Sequence, residues 1–304
     1  MNAFRFVILA AVVAAQAPPS DPLIRDTAVS QVSEHVHVVS DLNVGLVPNV
    51  GIIVGTKATL VVDTGLGPRN GETVLRITNG VSSNAELYVV STHFHPEHAL
   101  GESAFPAAAK LVRARAQQQD IDEFGLALAR TFSSRSPLVA DLLKDAQFRK
   151  ADIFFDRDYT LDLGGVRVRL LSLGPTHTRG DTVVWVEGDR ILFAGDVVMN
   201  RTFVAFASPY SSVKAWLADF DQLDPLHPLT VVPSHGPVGD ASLIAEQRTM
   251  MTAIQSRAIE LKRQGRSADE TAQTVQAEFQ ATYPGWAVPA RVGIIARTAY
   301  TEAP

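Results

Sequence analysis

Four apolar, β-branched runs in this chain end alike: LVVDTG at Asp63, YVVSTHFH at His93 and His95, ILFAGD at Asp196 and TVVPSHG at His235. Runs of this length, closed by Gly, Pro, Ser or Thr, predict strands. The residue just past each one sits on a loop that the strand holds in place, where ligand-binding and catalytic groups gather. Two pairs of runs predict hairpins. In NVGIIVGTKATLVVDTG the breakers are Gly55, Thr56 and Lys57, and in TVVWVEGDRILFAGD they are Gly188 and Asp189. HVHVV, ELYVVST, VRVRLLSLG and LTVVPS supply further strands, with helical patterns between them. Hairpins mixed with helices argue against a purely parallel sheet and for layered sheets with helices outside.

The chain has 304 residues, 46% of them hydrophobic, enough for a sizeable core. Strands and helices interleave without a linker, so one domain is expected over 18–304, with a core over about 32–239. Residues Arg113 to about Lys150 read as an insertion of two helices, broken near Ser133 to Pro137, that overhangs a site. From about residue 240 the chain is expected to end in two helices. Leu243, Met250, Ile254 and Leu261 share one helical face, and Ser267 with Glu270 forms a capping box. MNAFRFVILAAVVAAQAPPS has the layout of a secretory signal over 1–17, too short in its apolar part to span a bilayer. A periplasmic or secreted bacterial location without stable membrane insertion is therefore expected. The net charge of −5 provides no broad basic surface, so no nucleic-acid partner is expected. With no cysteine, any metal must be held by His and carboxylate.

Of eight histidines, five lie at strand ends in turns rich in Gly and Pro: His93, His95, His98, His177 and His235. In an extended run alternate side chains point the same way, so His93 and His95 can converge on one ion, while the following turn redirects His98. Two such histidines plus one from a distant strand end make an open zinc site, with donors at about 2.0–2.2 Å and a place for water. His35 and His37 have the same spacing within a strand, but no following turn and no carboxylate. They are expected to be structural, and His227 to be a loop or helix-end residue.

The stretch His93-Phe94-His95-Pro96-Glu97-His98 resembles the H-x-H-x-D-H signature of the metallo-β-lactamase-fold hydrolases. The resemblance continues in order through VVDTG, GPTHTRGD, FAGD and PSHG. It implies an α/β chain folded as an αββα sandwich with a C-terminal helical extension, binding one or two zinc ions. It further implies that His93, His95 and His177 bind a first metal, that His98 and His235 bind a second, that Asp196 bridges both, and that Asp63 supports the ligand loop. Glu97 departs from the usual Asp. The extra methylene shifts the carboxylate by about 1.5 Å, so Glu97 is expected either to join the second metal or to act as a base beside it, and two-metal occupancy is left open. Zinc brings the pKa of bound water toward about 7, with Asp196 and Glu97 as the catalytic carboxylates. The implied activity is hydrolysis of an ester, thioester, lactone or β-lactam bond in a small molecule, and the alternative is a non-catalytic accessory metal-binding protein. The Glu variant, the GPTHTRGDT loop and YPGW look most like periplasmic hydrolases grouped with quinoprotein-relay and sulfur-oxidation proteins. Substrate contacts are expected from the insertion, from MNRTFVAFASPY and from Arg179, for which solvation or pairing to Asp181 is the equal alternative, while Tyr210 is expected to pack as an aromatic, with donation to an oxyanion as its alternative.

Overall fold

The computed structural model describes residues 21–304, so the export signal expected over 1–17 lies outside the described residues. Among the described residues twelve strands form two sheets. The first runs in spatial order β1 (Val29–Gln31), β2 (Val36–Val39), β3 (Val50–Val54), β4 (Ala58–Val62), β5 (Glu86–Val90), β6 (Lys110–Ala114) and β7 (Ile153–Phe155). The second is built from β8 (Asp158–Asp162), β9 (Arg167–Leu173), β10 (Asp181–Val186), β11 (Ile191–Gly195) and β12 (Thr230–Pro233), with β12 and β8 at its edges. Both expected hairpins are present, as antiparallel β3–β4 and β10–β11. β4 through β7 pair in parallel, as do β11 and β12.

Strand alternation sorts the apolar residues into layers. Leu60 and Val62 of β4 point between the sheets to meet Val168, Val184 and Phe193, while Val61 points outward toward Val74 and Ile77 of α1 (Gly67–Val81). Gly51 makes room in the middle layer, because a Cβ there would come within 2.4 Å of the Phe193 ring. The outer face of the second sheet packs Trp185, Leu192 and Val231 against Trp216, Met250 and Ile295. The result is helix, sheet, sheet, helix, the αββα sandwich.

The helices after α1 are α2 (Pro96–Ala99), α3 (Arg115–Asp120), α4 (Leu126–Ser133), α5 (Pro137–Leu142), α6 (Val213–Leu223), α7 (Ser242–Arg263), α8 (Ala268–Thr282) and α9 (Ala290–Glu302). A π-helical turn, Ile121–Gly125, joins α3 to α4, and the break before α5 falls where Ser133 to Pro137 predicts it. Arg113 is not part of the insertion. It lies in β6, 1% exposed, with Nη2 2.6 Å from Glu102 Oε2. The Ser267–Glu270 capping box opens α8 as expected.

The tail holds three helices, not two. The buried face of α9 is Val292, Gly293, Ile295, Ala296 and Ala299, and its small residues give a weak apolar period. Glu302 anchors the end of α9 by accepting the Val213 and Lys214 backbone N–H groups at 3.0 and 3.1 Å. Among the described residues no helix is long and apolar enough to cross a membrane.

Candidate metal centre

The strand-end residues meet at one edge of the sandwich. Donor atoms of His93, His95 and His177 lie within 4.8 Å of one another, as do those of His93, His98 and Asp196, and those of Glu97, His98 and His235. Every expected site residue therefore belongs to one continuous cluster, and all but the half-buried His235 are buried.

Local structure aims each group. His95 precedes Pro96, which is extended-favouring for the residue before it and suited to the first position of α2. α2 then turns Glu97 and His98 inward. At the end of β11 the register shifts between Phe193 and Gly195, and Gly195 takes a φ of +57°. Such a bulge re-aims the following side chain, here Asp196. Asp63 also has a positive φ, +63°, a conformation that Asp tolerates better than most residues. Its carboxylate accepts the Thr92 N–H at 2.7 Å and the Thr92 hydroxyl at 3.0 Å, and lies 2.9 Å from His98 Nδ1. It thus fixes both the backbone of the motif and one imidazole.

The hydrogen bonds on the outer nitrogens decide which atoms face the cluster. His177 Nδ1 is 2.6 Å from the Ala205 carbonyl and His235 Nδ1 is 3.0 Å from the Val47 carbonyl. With His98 Nδ1 on Asp63, all three turn Nε2 inward, as metal-binding histidines do. Asp196 stands among them, with Oδ2 3.4 Å from His177 Nε2 and Oδ1 3.9 and 3.7 Å from the Nε2 atoms of His98 and His235. These are long for hydrogen bonds. They suit donors sharing an ion, since two ligands at about 2.1 Å and a tetrahedral angle stand about 3.4 Å apart.

His93 Nε2, His95 Nε2, His98 Nε2, Asp196 Oδ1 and Glu97 Oε2 are buried without hydrogen-bond partners. Five such orphans in one cluster are far outside the norm for a folded interior, and their chemistry, nitrogen and oxygen without thiol, fits a divalent metal. Burial, then the neighbouring imidazoles, lowers the pKa of His93 well below its ordinary value, and burial followed by His177 does the same for His95. Both are neutral at pH 7, with a lone pair to offer. For His98 burial opposes charge, but Asp63 outweighs it and raises the pKa to about 9. Burial would raise the Asp196 pKa, yet His235, His177, His98 and His95 together hold it below the usual carboxylate range.

The cluster forms the floor of a cleft of about 920 Å³. Val44 and Leu46 line it, and so do Leu128, Phe132 and Arg135 of the insertion, as expected of a segment bordering the site. Asn200 and Arg201 follow Asp196, and Val288 and Arg291 come from the tail. Arg179 and Tyr210 are not among the lining residues. The Arg179 guanidinium pairs with Asp120 at 3.3 Å and with Glu123, and sits 4.0 Å over the Tyr210 ring, whose hydroxyl donates to Glu123 at 3.1 Å. Asp181, the partner weighed from sequence, instead accepts the Thr178 N–H and hydroxyl, both at 2.8 Å, and holds the His177 loop. Arg179 and Tyr210 thus clasp the insertion to that loop. Arg135 and Arg201 lie in the insertion and in MNRTFVAFASPY, the two segments expected to border the substrate, whereas no sequence signal singles out Arg291.

A two-sheet sandwich with a histidine–carboxylate cluster at its edge defines a metallo-hydrolase scaffold. The sequence profile of the metallo-beta-lactamase superfamily matches residues 44–235, and the chain belongs to that superfamily as a metal-dependent hydrolase. It is 24% identical over 247 residues to the metallo-beta-lactamase type 2 of Bacteroides fragilis, covering 79% of this chain and 91% of that protein. It is 23% identical over 261 residues to a linear primary-alkylsulfatase of Pseudomonas sp., covering 74% and 49%. Among solved structures, the sec-alkylsulfatase Pisa1 from Pseudomonas sp. matches with a TM-score of 0.72 at 15% identity, over 90% of this chain and 50% of that one. The DIM-1 metallo-beta-lactamase matches with a TM-score of 0.59 at 19% identity, over 76% and 98%. The chain spans about half the length of the alkylsulfatases it resembles.

Proposed function

We propose that this protein is a zinc-dependent hydrolase that directs an activated water at an ester-type bond of a small molecule. The bonds in question are ester, thioester, lactone and β-lactam, with sulfate ester added by the likeness to the alkylsulfatases. The observation that carries this reading is the convergence of orphaned imidazole and carboxylate donors on the floor of an open cleft. In the proposed arrangement His93, His95 and His177 hold one ion, and Glu97, His98 and His235 hold a second where it is present. Asp196 lies between the two groups. A divalent ion there supplies Lewis acidity, which ionises water near neutral pH and polarises an oxygen under attack.

The remaining work falls to the chain itself. Asp196, kept ionised by the surrounding imidazoles, orients the attacking water and accepts its proton. Where the second ion is absent, Glu97, which also lines the cleft, is the second carboxylate able to relay a proton to the leaving group. Asp63 keeps His98 in one tautomer and one orientation. The leader-like residues 1–17 support export to the periplasm or the exterior as part of this proposal, and the likeness to quinoprotein-relay and sulfur-oxidation hydrolases is compatible with it.

Elemental analysis of the purified protein tests this reading together with a panel of thioesters, lactones, a chromogenic cephalosporin, phosphodiesters and alkyl sulfates. Turnover of one substrate class with stoichiometric zinc is expected. Inactivity on all of them with metal fully loaded would favour an accessory, non-catalytic role.

A further inference from the structure

Arg291 reaches the cleft from α9, more than fifty residues beyond the segment that the superfamily profile matches. Its Nη1 donates to the Phe203 carbonyl at 2.8 Å and lies 3.7 Å from Met199 Sδ, both on the chain leaving Asp196. Among the described residues it has no carboxylate partner. The acidic groups whose charge it feels, Asp196 and Glu97, belong to the histidine cluster. The remaining acid in the lining, Asp41, is occupied by the backbone N–H groups of Gly236 at 2.8 Å and Asn43 at 3.0 Å. Arg135 lines the same cleft, its guanidinium stacked 3.7 Å from the Phe132 ring and likewise without an acidic partner among the described residues.

A half-buried guanidinium without a counter-ion is costly unless something anionic pairs with it. The planar fork of arginine matches the oxygens of a carboxylate or sulfate group. Leu46, Leu128 and Val288 add apolar side chains to the lining, and Val288 stays 46% exposed in a backbone conformation, φ +56°, that a β-branched residue rarely adopts.

Building on the hydrolase reading, we propose that Arg291, assisted by Arg135, binds an oxyanion on the substrate, so that this enzyme selects small anionic esters with an apolar body. The C-terminal helix is then a specificity element of the site.

Isothermal titration of the zinc-loaded protein with hexyl sulfate, hexanoate and hexanol tests this independently of turnover. At least one anion should bind about tenfold or more tightly than hexanol, the scale of one charge-assisted hydrogen bond. Whichever anion binds more tightly identifies the group recognised. Arg291→Met should remove that preference, Arg291→Lys should restore part of it, and zinc content should stay unchanged in both. Hexanol binding as tightly as the anions, or Arg291→Met binding them like wild type, would overturn the proposal. Should Arg291→Met fail to fold, Arg135→Met alters an exposed side chain and carries the same test, with weakened anion binding expected and unchanged binding overturning it. Anion selectivity without hydrolysis of any ester would remove the hydrolase reading and leave this one standing, and hydrolysis without anion selectivity would do the reverse.

Discussion

His35-Val36-His37 and His93-Phe94-His95 share one spacing and meet different ends. His37 lies within β2, paired across to Gln31 and Ile52, and burial lowers its pKa. His35, just before the strand, places Nδ1 3.0 Å from Asp189 in the β10–β11 turn and ties the two sheets together. Among the described residues neither joins a group able to hold an ion. His93 and His95 lie just beyond the end of β5, where His177, Asp196 and His235 arrive from the other sheet. The spacing makes the two pairs alike in sequence, but only the second pair lies where other strands also end. Spacing supplies two donors, and topology supplies the others.

The largest effect that can break this contrast is His95→Ala or His177→Ala. Either should strip the first metal and lower hydrolysis by more than about 10³-fold, beyond the 10–100-fold cost of losing an outer partner, with circular dichroism unchanged. Full activity in either would refute the ligand assignment. Asp63→Asn, which removes the carboxylate behind His98, should weaken metal affinity by about 10–100-fold, measured by competition with a zinc chelator. Glu97→Asp shortens the side chain by one methylene and should alter zinc stoichiometry while the first site stays loaded. Unchanged metal content would mean that Glu97 is not a determinant of the second site. The smallest effect is expected from His35→Ala, about 0.5–1.5 kcal/mol of stability for a lost hydrogen bond, seen in chemical denaturation with zinc content intact. Metal loss there would erase the distinction between the two pairs.

What the sequence revealed follows the same contrast. Strand ends carrying His or Asp were legible because a long β-branched run, a breaker and a polar residue form a local pattern, and the two tight hairpins were legible for the same reason. β1, β6, β7 and β8 escaped notice. β1 and β7 have three residues each, β8 alternates with exposed acids, and β6 hides Arg113, whose burial only makes sense with Glu102 beneath the histidine motif. α9 escaped because alanines and a glycine make up much of its inner face. Arg291 could not have been found from sequence. A charged residue in a weakly amphipathic helix reads as solvent-facing, and only the docking of α9 shows that it borders the cleft. Arg179, beside a ligand in sequence, looked like a substrate contact and serves as a clasp, its charge already matched by Asp120 and Glu123.

The chain leaving Asp196 is stitched to the tail. Ala287 N–H donates to Arg201 at 3.0 Å, Phe203 N–H donates to Ala287 at 3.2 Å, and Tyr283 and Trp286 pack around the Phe203 ring. Sequence drift in the last sixty or so residues can therefore redraw the rim of the cavity while every ligand-bearing strand stays as it was. In a lineage built this way, part of the cavity rim is free to change on a stretch of the gene that carries none of the clustered histidines and carboxylates.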